Sequence, residues 1–290
     1  MTSEARAAAL FLLPALVVLV VFFFIPVIAG FALSVTDYDL YAIGDIHNLR
    51  MIGLRNYAAV LHSDVFWTAF ANTLYFSLIG GPLTVATSLA AALLVNAKAA
   101  RYKALFRTIY FAPVVTTLVA VAIVFRFLYH GRFGILNRVL ELIGLHGADW
   151  LGDPRLAMPA IIVLAVWKNF GYNMIIFIAG LQNIPDELYE AARIDGAGEW
   201  KQFRHVTLPM LGPTFLFVGI VTAIGYLQLF AEPYVMTKGG PLNSTLSAVM
   251  LMYQEGFKWW RMGYAAAIAF LLFLVIAAAT ALQLRMQGRR

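Results

Sequence analysis

Residues 10–33 read LFLLPALVVLVVFFFIPVIAGFAL, an apolar run without a single charged side chain. About 20 apolar residues in an α-helix cross the hydrocarbon core of a bilayer, so this run predicts a membrane-spanning helix. The preceding residues 1–9 hold Glu4 and Arg6 but no basic cluster, and the run is longer than the apolar core of a signal peptide. We therefore expect a retained first helix rather than a cleaved leader.

The composition of the 290-residue chain is typical of a membrane protein, since 62% of its residues are hydrophobic and 12% are charged. Soluble domains have about 45–50% apolar and about 25% charged residues, so an ordinary soluble domain and a disordered chain are both excluded. The chain has no cysteine, which excludes disulfides, cysteine nucleophiles and iron–sulfur clusters. The net charge of +6 is taken to set the orientation in the membrane.

Further apolar stretches extend the pattern to an all-α membrane protein with six transmembrane helices. The five that follow the first lie at 67–96, 105–129, 158–181, 206–229 and 262–284. Pro82 and Pro113 fall inside them, which membrane helices tolerate because neighbouring groups satisfy the freed backbone. Lys168 interrupts the fourth stretch, and no Asp or Glu lies within any of the six to pair with it. The run 245–257 is too short to span and is expected to lie partly in the membrane interface.

The distribution of basic residues indicates that both termini are cytoplasmic. With that orientation the four inside segments hold ten Lys and Arg residues, whereas the three outside loops hold eight over about twice the length. We divide the chain into a first helix with its outer loop at 1–66, a core at 67–284 that holds the remaining spans, and a cytoplasmic tail at 285–290. The core contains the longest inside loop, at 182–205.

This inside loop has local signals for a short helix. Asp186 and Glu187 after Pro185 suit the positive N-terminal end of a helix, and the run from Asp186 to Asp195 ends at Gly196. A second short turn from Gly198 to Arg204 leads back to the membrane.

The first of these helices has a small apolar face made by Leu188, Ala191 and Ala192, with Glu190 and Arg193 beside it. A helix this short is not stable alone, so it needs a surface to rest on. The residues alone leave two interpretations open, an amphipathic connector at the lipid headgroups and a docking element for another protein.

Residues 190–209, EAARIDGAGEWKQFRHVTLP, resemble the EAA loop of binding-protein-dependent ABC importer permeases, whose pattern is E-A-A-x3-G-x9-I-x-L-P. The matching residues are Glu190, Ala191, Ala192, Gly196, Val206, Leu208 and Pro209, with Val206 in place of isoleucine. VMTKGGPLNST at 235–245, GYAAA at 263–267 and WTAFANTLYFSL at 67–78 are similar to carbohydrate-uptake permeases of the maltose and glycerol-3-phosphate type. The GGPLNST loop is more similar to the MalF-type or UgpA-type subunit than to its partner.

The resemblance implies a type I ABC importer permease fold in a bacterial inner membrane and a carbohydrate as solute. It implies that the loop is a coupling helix that docks on a separate ATP-binding subunit, a homodimer that holds ATP and Mg²⁺. Glu190 would make a charged contact there, the small Ala191 and Ala192 would allow close approach, and Gly196 would permit the turn. The further partners implied are a second, different permease subunit and a periplasmic solute-binding protein.

The chain itself shows no enzymatic site. It lacks GxxxxGK[ST], so it has no loop to cradle phosphates, and we expect no cofactor to bind this chain. The histidines follow no HExxH spacing and are expected to be loop residues without a catalytic or metal role; they are His47, His62, His130, His146 and His205.

Polar residues in two predicted spans form a candidate solute path, because such residues usually face an interior or a wet cavity. The path residues are Trp167, Lys168, Asn169, Tyr172 and Asn173 in the fourth span, and Thr222, Tyr226, Gln228 and Leu229 in the fifth. Maltose-type relatives bind their sugar among residues of these two helices. Hydrogen bonding between helices is the alternative role for these side chains.

Three hypotheses remain for Lys168, which lies near mid-membrane: it faces water, its burial lowers its pKa, or it meets an anionic group on the solute. On the outer face, Tyr234, Gly239, Gly240 and Pro241 are candidate contacts of the solute-binding protein, although the glycines and Pro241 are equally compatible with a bare turn. The competing functions are an ion-coupled secondary transporter, which needs an intramembrane carboxylate or an inverted repeat, and an integral membrane enzyme.

Overall fold

The computed structural model describes residues 3–39, 49–97 and 101–287. His47 and the last three residues of the tail, 288–290, lie outside this range. The chain divides into two compact units, one made of Met1–Phe66 with Leu251–Phe273 and the other of Trp67–Met250 with Leu274–Arg290. The described residues form helices joined by turns, and one isolated bridge pairs Thr36 with Met51.

The helices in chain order are α1 (Ser3–Leu19), α2 (Ile25–Ser34), α3 (Arg55–Leu61), α4 (Asp64–Tyr75), α5 (Gly81–Asn96), α6 (Lys103–Val115), α7 (Leu118–Leu128), α8 (Ile135–Leu142), α9 (Ala157–Gln182), α10 (Asp186–Ile194), α11 (Glu199–Gln202), α12 (Leu208–Met210), α13 (Gly212–Leu227), α14 (Ala231–Met236), α15 (Ala248–Tyr253) and α16 (Met262–Gln287). Single π-helical turns at Val20–Phe24, Phe76–Gly80, Phe203–Thr207 and Gln254–Lys258 continue α1, α4, α11 and α15.

Most of the predicted spans are confirmed. Among the described residues, the helical stretches that are long and apolar enough to cross a membrane singly are Leu10–Ser34, Asp64–Asn96, Ala157–Gln182, Gly212–Met236 and Met262–Met286. The run 245–257 is too short to span, as expected, and contains the short helix α15, in which Ala248 and Met250 are buried.

The prediction of one continuous helix at 105–129 is wrong. The stretch forms α6 and α7, which are bent by 96° relative to each other. Pro113 has no N–H to donate, and Thr116 and Thr117 between the helices have extended backbone, with ψ of 150° and 136°. The Thr116 hydroxyl donates a hydrogen bond of 2.6 Å to the Pro113 carbonyl oxygen, which stabilises the break.

The fifth predicted span, 206–229, is shifted towards its C-terminal end. The long helix begins at Gly212, because Leu211 takes a non-helical ψ of 0° and Pro213 lies in the first turn. After a break at Gln228–Phe230 the apolar stretch continues as α14 to Met236. The extension brings Glu232 into a membrane span, so the prediction that no carboxylate lies within the spans is wrong.

Helix α9 lies at the centre of the second unit and packs against both α5 and α6. Its residues Ile161 and Leu164 are fully buried in one apolar cluster, and Met174 and Phe177 are fully buried in another. Gly171 permits the close approach to α6, since a Cβ at this position would overlap the carbonyl oxygen of Tyr110. The close contact holds the polar part of α9 beside the break between α6 and α7.

Candidate functional site

A cavity of about 420 Å³ lies between α9 and the break that separates α13 from α14. Its lining residues are Phe76, Leu118, Asn169, Tyr172, Asn173, Val221, Thr222, Gly225, Tyr226, Gln228, Leu229, Phe230, Ala231 and Glu232. Most of the predicted path residues are therefore brought together around one space. Trp167 and Lys168 are the two predicted path residues that do not line it.

Several of the lining side chains also hold the helices together. Asn173 donates a hydrogen bond of 2.9 Å to the Thr222 hydroxyl, which joins α9 to α13. The Tyr226 hydroxyl is hydrogen-bonded to Thr84 of α5. Its ring stacks on Phe76 with a centroid distance of 4.8 Å. Asn173, Thr222 and Tyr226 thus combine the two roles that the sequence left open, because they line the cavity and bond between helices.

Two aromatic residues of α9 differ in their surroundings. Tyr172 lines the cavity and is 46% exposed, so its ring is available to a solute. Trp167 is also exposed but does not line the cavity, and its ring lies 5.2 Å from that of Phe125. Aromatic faces are suited to stacking on the apolar faces of sugar rings, so Tyr172 is a better candidate than Trp167 for contact with a sugar in the cavity.

Lys168 is buried, as one of the three hypotheses assumed, and it has a further role that none of them described. It is 8% exposed, and its ammonium donates hydrogen bonds to the carbonyl oxygens of Pro113, at 2.7 Å, and Val114, at 3.1 Å. These two carbonyls belong to the last turn of α6, where a helix leaves its C=O groups without intrahelical partners. Lys168 therefore caps the broken third span.

Glu232 was missed by the sequence reasoning, which placed it in an outer loop. It lies in the first turn of α14, is 8% exposed and lines the cavity. Its carboxylate interacts electrostatically with Lys168. The continued apolar run AEPYVM after Phe230 was the signal that the span does not end at Leu229.

The loop at 182–205 forms the predicted short helix. Helix α10 begins at Asp186, with Pro185 at its N-cap rather than in its first turn. At its other end Gly196 has φ of +74°, its N–H bonds to Arg193 O at 3.0 Å, and the N–H of Ala197 bonds to Ala192 O at 2.8 Å. This pair of bonds is the Schellman motif, in which a left-handed residue closes a helix.

Most of the predicted coupling residues lie at the surface of this loop. Glu190 and Ala191 are exposed, and Glu190 is 4.0 Å from Arg193, too far for a tight ion pair. The Tyr189 hydroxyl is hydrogen-bonded to Thr207 at 2.9 Å, which fixes α10 against the start of the next membrane segment. The exposed face of α10 is thus held in a defined position.

Leu208 and Pro209, the end of the EAA pattern, line a second and larger groove. Its volume is about 1060 Å³, and Trp200 and Arg204 also line it. Val206, which replaces the isoleucine of the pattern, packs partly buried against the apolar cluster around Phe177.

The GGP loop is a tightly hydrogen-bonded turn. Gly239 is buried with φ of +87°, and the Thr245 hydroxyl donates a hydrogen bond of 2.7 Å to the carbonyl oxygen of Gly240, which precedes a cis Pro241. Asn72 donates from its side-chain amide to Asn243 O at 2.7 Å and to Leu246 O at 3.0 Å.

The exposed part of the loop is its tip, where Leu242 is 88% exposed. Tyr234 is also exposed, whereas Gly239 is not.

In the part of the chain that the structure describes, no group of three or more His, Asp or Glu residues is arranged to hold a metal ion.

The described residues combine helices long and apolar enough to cross a membrane, a cavity with polar lining and an exposed helix closed by a Schellman turn, which together fit a membrane transport component. Residues 83–290 match the family of binding-protein-dependent transport system inner membrane components, and the chain belongs to that family. It is the permease subunit of an ATP-binding-cassette importer.

Named relatives match the chain over nearly its full length. LacF of Rhizobium radiobacter, a lactose transport system permease protein, is 38% identical over 94% of this chain and 91% of its own. AraP of Bacillus subtilis, an arabinooligosaccharides transport system permease protein, is 33% identical over 99% and 90%. MalF of Thermococcus litoralis, a trehalose/maltose transport system permease protein, is 32% identical over 97% and 94%.

The fold is that of a solved importer. A chain of a bacterial ABC transporter involved in the import of the acidic polysaccharide alginate superposes with a TM-score of 0.82 and 24% sequence identity. The match covers 99% of this chain and 96% of the alginate transporter chain. At this identity the likeness concerns the fold, not the solute.

Proposed function

We propose that this permease carries a sugar or oligosaccharide across a bacterial inner membrane. The observation that carries the proposal is the 420 Å³ cavity, which combines the exposed ring of Tyr172 with the side-chain amides of Asn169 and Gln228. Its volume is within the range of about 300–1,000 Å³ that is usual for small-molecule sites. The printed solutes of LacF, AraP and MalF, all saccharides, support the same class.

Transport is driven by a separate ATP-binding subunit, a homodimer that holds ATP and Mg²⁺, since this chain has no phosphate-binding GxxxxGK[ST] loop. The exposed helix α10 is the docking element, with Glu190 as its charged contact and Ala191 and Ala192 as the closely approached surface. A short helix that is joined to the next membrane segment through Tyr189 and Thr207 moves with it as a rigid body, so closure of the ATP-binding subunits is transmitted to the spans.

The proposal also covers the orientation in the membrane and two further partners. Both termini and α10 are cytoplasmic, and the outer loop tip with Tyr234, Leu242 and the Gly239–Pro241 turn receives a periplasmic solute-binding protein. The alginate importer was solved in complex with a periplasmic protein that holds an alginate pentasaccharide, which supports this arrangement. The core at 67–284 pairs with a second, different permease subunit to close the path.

Two experiments test the proposal. The tagged chain, purified from its own membrane, is expected to bring an ATP-binding subunit with it, and Glu190→Lys is expected to reduce that recovery several-fold. Deletion of the chain is expected to abolish uptake of one solute among radiolabelled lactose, maltose, trehalose and arabinooligosaccharides. Recovery of the chain without an ATPase, or saccharide uptake that persists in the deletion strain for the whole panel, would contradict the proposal.

A further inference from the structure

The charges around the cavity are distributed unequally. Among the described residues that line it, Glu232 is the only one with an acidic or basic side chain. Glu232 is nine-tenths buried, so its carboxylate is shielded from bulk water, whose high dielectric would screen its charge. A solute in the cavity therefore lies next to one buried carboxylate.

The basic side chain that interacts electrostatically with Glu232 is that of Lys168. Lys168 does not line the cavity, and its ammonium donates to the Pro113 and Val114 carbonyls. Its positive charge attracts the Glu232 carboxylate, while two of its three ammonium donors are used by the broken helix. A carboxylate on the solute would meet Glu232 and no basic side chain among the described lining residues.

We propose that Glu232 is a specificity-determining residue that accepts hydrogen bonds from the hydroxyl groups of neutral saccharides and excludes acidic ones such as uronates. The inference deepens the proposed function and rests on it. A carboxylate is an acceptor with two oxygens and suits a vicinal pair of sugar hydroxyls, which are donors. A second carboxylate at the same place is repelled, because two like charges in a partly desolvated site cannot both be stabilised.

The competing role for Glu232 is that of a counter-ion to Lys168 with no solute contact. That role predicts changes in folding stability only. Selectivity between a neutral and an acidic solute separates the two roles, since a counter-ion buried away from the solute does not alter the ratio of two solute affinities.

The experiment measures the affinity of the complete importer complex in nanodiscs, without its binding protein, by isothermal titration calorimetry. The probes are lactose, maltose and trehalose, each paired with the corresponding disaccharide in which one C6 hydroxymethyl group is a carboxylate. The wild type is expected to bind at least one neutral sugar and to bind its acidic counterpart at least about tenfold more weakly. Glu232→Gln is expected to reduce that ratio to about threefold or less, whereas Glu232→Asp, which keeps the charge, is expected to retain it.

The matched control is Glu141→Gln, which removes one negative charge from an exposed position on α8 and is expected to leave the ratio unchanged. A wild-type complex that binds the acidic and neutral sugars equally would overturn the inference even if no variant folds. An unchanged ratio in a folded Glu232→Gln complex would overturn it as well. If no saccharide binds and deletion of the chain also leaves the uptake of every saccharide in the panel unchanged, the proposed function fails together with the inference. If sugars bind but the neutral and acidic forms bind equally, only the inference fails.

Discussion

The ammonium of Lys168 lies 2.7 Å from the carbonyl oxygen of Pro113, so a side chain of the fourth span caps the broken third span. The ammonium and the carbonyl oxygens each satisfy a hydrogen-bonding requirement of the other. The break exposes carbonyls that need donors inside the membrane, and the cation needs acceptors there. The pair fixes the corner between α6 and α7 beside the cavity.

Lys168→Met is expected to destabilise this corner by about 1–3 kcal/mol, because the Val114 carbonyl loses its donor and Glu232 loses its counter-charge. The native chain has no cysteine, so spin labels at Phe106→Cys and Ile123→Cys report the distance between α6 and α7 cleanly. We expect a broader distance distribution and a lower transition temperature in detergent. Lys238→Met, at an exposed position, is the control and is expected to change neither.

Gly196→Ala is expected to weaken the coupling between ATP hydrolysis and uptake. Its φ of +74° costs a residue with a Cβ about 1 kcal/mol, although nothing lies within 4 Å of the added methyl group. Gly198 is equally open but has φ of −67°, so Gly198→Ala is a matched control. We expect fewer solute molecules imported per ATP hydrolysed in Gly196→Ala alone, and equal ratios in both variants would show that the turn does not require a left-handed residue.

Gly171→Ala is expected to separate α9 from α6, because the added Cβ overlaps the Tyr110 carbonyl oxygen, a backbone atom that cannot rotate away. Overpacking of this kind costs about 1–3 kcal/mol. Gly219→Ala, where a Cβ meets nothing within 4 Å, is expected to be neutral or slightly stabilising. Thermal unfolding followed by tryptophan fluorescence compares the two, and an undiminished transition temperature for Gly171→Ala would refute the close packing.

Asn72→Ala is expected to loosen the GGP loop, because the Asn72 side-chain amide donates hydrogen bonds to the carbonyl oxygens of both Asn243 and Leu246. Removal of two hydrogen bonds should cost about 1–2 kcal/mol and increase protease cleavage near Leu242. Thr87→Ala, which removes a hydroxyl bonded within its own helix, is the control. If cleavage rates of the two variants agree, Asn72 does not hold the loop.

Local signals in the sequence were sufficient to predict the helix in the loop at 182–205 and most of the spans. The acidic first turn at Asp186 and the glycine at 196 mark the two ends of a helix of nine residues, so its start and its closing residue could be predicted. The same holds for α9, whose predicted and observed ends differ by one residue.

The break in the third span and the continuation of the fifth span could not be predicted from local sequence patterns. The break after Val115 is stabilised by Lys168, whose partners are 54 and 55 residues away in the sequence. The continuation of the fifth span past Gln228–Phe230 brings Glu232 towards Lys168, and tertiary structure is needed to relate these two charges. Residues missed at the cavity are therefore those whose role arises from contacts between helices.

We expect solute transport by this permease to depend on an ATPase carried by another subunit. The most direct measurement is uptake of a radiolabelled saccharide into proteoliposomes that contain either the purified chain alone or the complete importer with its binding protein and enclosed ATP. We expect accumulation by the complete importer with ATP and none by the chain alone under proton or sodium gradients. Accumulation by the chain alone, driven by either gradient, would contradict it.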